Sequence, residues 1–201
     1  QQHRKEGDLI MGKGNRSAIV TLVERSSRLL VAFALRPGNR SDNMRDQLIE
    51  ALGILPATLR RTLTWDRGSE MAKHAEVTAA LGTLVYFCDP ASPWQRASNE
   101  NANGLLRQYF RKGADLSTVE QAEVRFAADE INGRPRAVLD WDSAAARFAS
   151  FQIVVALQTK AVSNGTGKTA RLPTAGDNSL GLSTATATKG ATPPAPNSRR
   201  G

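Results

Sequence analysis

Asp8, Asp66 and Glu100 are three carboxylates whose order and surroundings suit them to hold divalent metal. Asp66 ends an apolar run in Leu63-Thr64-Trp65-Asp66-Arg67-Gly68-Ser69-Glu70, and thirty-three residues separate it from Glu100. Glu100 lies in the polar stretch Trp94-Gln95-Arg96-Ala97-Ser98-Asn99-Glu100-Asn101, just before Leu105 and Leu106. Asp8 comes early, in Glu6-Gly7-Asp8-Leu9-Ile10-Met11. Hard oxygen ligands suit Mg²⁺ or Mn²⁺. Two acids on strands and one on a helix can hold such ions for phosphodiester chemistry.

Each acid also has an ordinary reading. Asp66 can be a turn or capping residue after a strand, although Gly68 beside it lets backbone or ligand approach closely. Glu100 can be a solvated helix glutamate. Its helix, however, carries Glu100, Asn103 and Arg107 on one side, at i, i+3 and i+7. Leu105, Leu106, Tyr109 and Phe110 cover the other side. Asparagine is a poor helix former, so Asn99, Asn101 and Asn103 together point to ligand contact or a frayed first turn. Asp8, flanked by Leu9, Ile10 and Met11, would be costly to bury unpaired. A metal accounts for it, and so does a salt bridge.

The elements that must position these acids follow from apolar spacing and turn residues. Gly7 to Met11, Ala18 to Val23 and Leu29 to Leu35 read as three strands joined by short turns, an antiparallel meander. A helix follows, capped in Ser41-Asp42-Asn43, apolar at Leu48, Ile49 and Leu52, and ended by Gly53. Leu59 to Trp65 reads as the fourth strand, Met71 to Leu81 as a helix and Thr83 to Cys88 as the fifth strand. Asp89-Pro90-Ala91-Ser92-Pro93 must be loop. A helix from Gln95 or Ser98 to Phe110 comes next. Another runs from Ser117 to Asn132, with Ser117 and Glu120 forming a capping box. The result is an α/β chain with a mixed five-stranded sheet flanked by helices, in the order of the ribonuclease H-like fold. This core is expected over 1–150. Phe151 to Leu157 reads as a short strand or core segment, and 158–201, rich in Gly, Ser, Thr, Ala and Pro, as disordered; 151–201 is thus a low-complexity tail.

Bulk properties narrow the function. The chain has 201 residues, enough for one domain with a real core, and a net charge of +8. Residues 152–201 hold six of the 27 basic residues and one of the 19 acids, so over half of the excess lies in the tail and any DNA contact by the body needs local patches. No run of eighteen apolar residues marks a membrane span. Cys88 is alone, in the apolar run Leu84 to Cys88, and reads as a packing residue. With His3 and His74 as the only histidines, zinc is improbable. Gly165-Thr166-Gly167-Lys168-Thr169 has Val162 where a phosphate-binding loop needs glycine. The chain starts at Gln1, without methionine and close to strand-like sequence, which reads as a fragment or processed product.

Over about residues 5–148 the chain resembles a bacterial insertion-sequence transposase of the IS-thirty family, a group of DDE transposases. The resemblance rests on Glu6-Gly7-Asp8-Leu9-Ile10, Gly12-Lys13-Gly14-Asn15-Arg16-Ser17 and Leu22-Val23-Glu24-Arg25. It continues through Leu63 to Glu70, Tyr86-Phe87-Cys88-Asp89-Pro90 and Trp94-Gln95-Arg96. It ends with Ser98 to Asn101, Asn103 to Phe110 and Asn132-Gly133-Arg134-Pro135-Arg136. It departs where Lys5 stands for tryptophan, Ala97 for glycine and Arg111 for proline.

The resemblance implies that Asp8, Asp66 and Glu100 are catalytic and hold two Mg²⁺ (or Mn²⁺) ions, with Asp8 bridging both. It implies DNA strand cleavage and transfer at element ends, with terminal repeats and target DNA as partners, a homo-oligomer in the active complex, and a cytoplasmic, nucleoid-associated place in a bacterium. Arg96, Asn99, Asn103, Arg107 and Lys112 are expected to contact DNA. The family's N-terminal helix-turn-helix region and its pattern beyond Phe148 have no counterpart here, so the tail is expected to be out of frame or fused from neighbouring sequence. A catalytically idle remnant and a plain ribonuclease H-like nuclease are the alternatives.

Overall fold

The computed structural model describes residues 3–38, 40–89 and 92–164. Its five strands are β1 (Arg4–Met11), β2 (Ala18–Glu24), β3 (Leu30–Ala34), β4 (Thr62–Trp65) and β5 (Leu84–Phe87). They lie in the order β3-β2-β1-β4-β5, with β1–β2 and β2–β3 antiparallel and β1–β4 and β4–β5 parallel. The helices are α1 (Arg40–Gly53), α2 (His74–Leu81), α3 (Ala97–Leu106), α4 (Gln121–Gly133) and α5 (Ala144–Asn164). This is the mixed sheet expected of a ribonuclease H-like core.

Two hydrophobic clusters account for the layering. Ile10, Ile19, Val23, Leu30 and Ala32 pack on Ala102 and Leu106 of α3 and on Val124, Ala127, Ala128 and Ile131 of α4. Val20, Leu22, Phe33, Leu63 and Trp65 pack on Met44, Leu48 and Leu52 of α1 and on Val77 of α2. Successive strand side chains point to opposite faces. Asp8 therefore shares the α3 face with Ile10, while Gly7 faces Trp65. A Cβ on Gly7 would lie 1.9 Å from the Trp65 ring, so only glycine fits there.

The outer edge of the sheet is closed by side-chain amides. Asn132 accepts from Leu30 N–H at 2.9 Å and donates to Leu30 O at 2.7 Å. Gln121 accepts from Ala34 N–H, and Gln47 donates to Ala34 O, both at 2.9 Å. Buried backbone groups need such partners.

Several boundaries differ from the sequence reading. β1 starts at Arg4, because Lys5 and Glu6 pair with Glu24 and Val23. Leu59 closes a 3-10 turn (Ala57–Leu59), and β4 begins only at Thr62. A second such turn (Ser69–Met71) precedes α2. α4 begins at Gln121, not Ser117, and Glu120 makes no side-chain cap. The Ser117 hydroxyl and N–H both bond Asp115, at 2.7 and 2.9 Å, so the expected capping box does not form. Phe151 to Leu157 is neither strand nor core segment. It lies within α5, started by the Ser143 hydroxyl accepting from Ala146 N–H at 3.1 Å, and Ile153, Val154 and Leu157 are exposed. Of the tail expected to be disordered, 158–164 belongs to α5 and the remainder, with the Gly165–Thr169 motif, lies outside the described residues. Among the described residues no helix is long and apolar enough to cross a membrane.

Candidate active site

β1 delivers Asp8 opposite Thr21 of β2. β4 ends at Trp65, which places Asp66 at the start of the following loop. Trp65 is fully buried, and its indole N–H donates to Glu70 Oε1 at 2.9 Å, tying that loop to the strand. α3 crosses the same face of the sheet and carries Glu100 in its first turn.

Arg96, just before α3, joins the first two acids. Its Nη1 lies 2.8 Å from Asp8 Oδ1 and its Nη2 lies 3.7 Å from Asp66 Oδ2. Asp8 Oδ2 accepts from Asn103 Nδ2 at 3.0 Å, and Asp8 Oδ1 accepts from Leu9 N–H at 2.9 Å. Of the two explanations open for Asp8, the structure displays the salt bridge. Glu100 falls four residues after Arg96 and three before Asn103. Helical spacing therefore sets it on the α3 side that holds Asp8. Its side chain is exposed.

The electrostatics follow from this arrangement. Burial pushes the Asp66 carboxyl above its ordinary value, against the pull of Arg96, while Asp8 and Glu70 add repulsion. Burial works against the Arg96 charge, but Asp8 and Asp66 outweigh it and hold the guanidinium protonated. Burial pushes the Cys88 thiol up, the opposite of what a nucleophile needs.

The residues expected at DNA fall into different places. Asn99 is fully buried. Its N–H donates to Glu6 Oε2 at 3.0 Å, and its Nδ2 donates to Glu6 O at 2.9 Å and Thr21 O at 3.2 Å. It locks α3 onto β1 and β2 and cannot touch DNA, which corrects the sequence reading. Asn103 and Arg96 are engaged with the acids. Arg107 is half-buried, with its Nη1 enclosed and without a hydrogen bond, and Lys112 is exposed. Thr21 was invisible to sequence reasoning. Its hydroxyl lies 2.8 Å from Asn99 Oδ1 and 2.9 Å from Asn103 Oδ1, and its one proton serves one of them at a time. A cavity of about 880 Å³ runs along β3 at the other edge of the sheet and includes none of the three acids.

Among the described residues, no three of the His, Cys, Asp and Glu side chains converge closely enough to hold a metal ion. Arg96 supplies positive charge between Asp8 and Asp66. The donor set nonetheless fits a hard divalent ion. It is all oxygen, and Asp66 Oδ1 is enclosed without a hydrogen-bond donor.

The chain is similar in sequence to known transposases. The Integrase core domain family matches residues 2–93. The transposase for insertion sequence element IS1086 of Cupriavidus metallidurans is 53% identical over 138 residues, covering 69% of this chain and 40% of that protein. The transposase InsI for insertion sequence element IS30C of Escherichia coli is 49% identical over 134 residues, covering 67% of this chain and 34% of that protein. The transposase for insertion sequence element IS4351 of Bacteroides fragilis is 37% identical over 131 residues, covering 65% and 40% respectively. The chain thus spans less than half the length of these relatives.

Proposed function

This chain carries an integrase core domain and is a relative of the insertion-sequence transposases, and on that premise we propose that it is a catalytic core for metal-dependent cleavage and strand transfer of DNA. Asp8, Asp66 and Glu100 are its acids, and DNA carrying the element's terminal repeats is its substrate. The single observation that carries the assignment is the pairing of Asp8 and Asp66 on one guanidinium, with Glu100 one helical turn along from it.

Two Mg²⁺ ions bound among these carboxylates would activate the attacking oxygen and stabilise the leaving one. The chain's own residues prepare that place. Asn103 holds one oxygen of Asp8, and Leu9 N–H holds the other. Asn99 and Thr21 fix the height of α3 above β1 and β2, and with it the position of Glu100. Arg96 holds the two like charges of Asp8 and Asp66 together. The active complex is a homo-oligomer on DNA.

Incubation with labelled terminal-repeat DNA and Mg²⁺ or Mn²⁺ tests the reading. Strand transfer by this chain that disappears in Asp66→Asn, with unchanged circular dichroism, is the expected result. Nicking without transfer identifies a nuclease, and cleavage retained in Asp66→Asn removes the acid assignment.

A further inference from the structure

Arg28, Arg134 and Arg136 form a second centre of positive charge beside α3. Arg28, in the turn between β2 and β3, donates from Nη1 to Ser98 Oγ, two residues before Glu100. Its φ is +62°, a left-handed conformation that a non-glycine residue adopts at a cost. Glycine would make the same turn without that strain, so the arginine serves through its side chain. Arg134, just past α4, donates from Nη1 to Gln108 Oε1 at 3.1 Å and from Nη2 to the Tyr109 hydroxyl at 2.8 Å. Its guanidinium carbon lies 5.9 Å from the centre of the Tyr109 ring. Arg136 donates from Nη2 to Ile131 O at 3.1 Å. Burial first, then the charges of Arg28 and Arg134, push the Arg136 guanidinium below its ordinary value.

Helix capping offers a plainer explanation, since cations favour the C-terminal end of a helix. It accounts for one nitrogen of Arg136. It does not account for three guanidinium groups of which none, among the described residues, forms an ion pair with a carboxylate. Their hydrogen bonds to a serine, a glutamine, a tyrosine and a carbonyl fix position without neutralising charge. Arg134 is exposed, and Arg28 and Arg136 are half-buried, so each can present nitrogen to a ligand. Planar, uncompensated guanidinium groups are suited to phosphate oxygens.

We propose that Arg28, Arg134 and Arg136 are a phosphate-binding platform that seats the backbone of duplex DNA along α3, the helix that carries Glu100. The proposal rests on the reading of this chain as a DNA-processing core and adds the surface on which the duplex lies. Phosphate contacts of this kind fix register and carry no sequence information.

Fluorescence anisotropy with a labelled duplex in EDTA tests it without requiring catalysis. Over roughly 50 to 200 mM salt, Arg136→Gln and Arg28→Gln should each weaken binding several-fold and lower the salt slope by about one. Arg136→Lys, which keeps the charge, should retain most of the affinity. Arg36→Gln, removing a charge paired with Glu50 at 2.8 Å, should bind like wild type. Wild-type binding by folded Arg136→Gln and Arg28→Gln overturns the platform and leaves the DNA-processing reading intact. Equal loss in Arg136→Lys or Arg36→Gln also overturns it. Failure of the wild-type chain to bind duplex at low salt removes the DNA-processing reading, and the platform with it.

Discussion

Arg96 Nη1 stands 2.8 Å from Asp8 Oδ1, and the same guanidinium reaches Asp66. A metal ion bound by these two carboxylates would therefore compete with this arginine for them. Arg96→Gln should leave the two carboxylates facing each other without compensation. Without metal the variant should lose about 1–2 kcal/mol, a modest figure because Asp8 and Asp66 keep some solvent. Added Mg²⁺ should raise its melting temperature more than it raises that of wild type. Thermal unfolding in EDTA and in MgCl₂ checks both; an equal rise in the two proteins would show that Arg96 and metal do not compete.

Asn99→Ala should be a stability variant. It removes the buried amide that ties α3 to Glu6 O and Thr21 O and leaves a cavity in its place, a loss of about 3 kcal/mol. Urea denaturation measures it. Duplex affinity per folded molecule should not change, since Asn99 has no access to solvent.

Gly7→Ala should be at least as damaging. The new methyl would overlap the Trp65 ring at 1.9 Å, against a side chain with no free space. The cost should reach about 3 kcal/mol, the upper part of the usual overpacking range. A melting temperature within a degree or two of wild type would mean that β1 and Trp65 separate easily.

Lys5 makes stability depend on alkaline pH. Its side chain is almost fully buried, and its amine donates to Leu59 O. Burial, opposed by Glu24, pulls its pKa down from 10.5 to about 8. Between those values the unfolded chain binds more protons than the folded one, so this contribution to stability rises with pH. Below pH 8 the folded protein bears the full cost of the buried charge. Denaturant titrations of wild type and Lys5→Met across pH 8 to 10.5 should show the wild type gaining on the variant as pH rises.

The meander and the strand–helix alternation were legible because glycine-rich turns and β-branched runs are local signals. The places of Asp8, Asp66 and Glu100 on their elements were legible for the same reason, each at the end or middle of a periodic segment. The fate of Asn99 was not. Its burial depends on Glu6 and Thr21, which are 93 and 78 residues away in sequence. Arg96 was expected at DNA, and its commitment to Asp8 depends on β1 and α3 meeting. The start of α4 was misread because Asp115 takes both donors of Ser117. The run Phe151 to Leu157 was misread because its apolar residues lie on an exposed helix, where composition alone imitates a core.

The amides of Asn132, Gln121 and Gln47 that close β3 have a bearing on how copies of this protein can meet. An open edge strand invites a strand from another molecule and, repeated, leads to fibres. Here a visiting strand would have to break four bonds at Leu30 and Ala34 before making its own. Self-association through this rim is therefore disfavoured, and the protein can reach high local concentration without growing a shared sheet from β3.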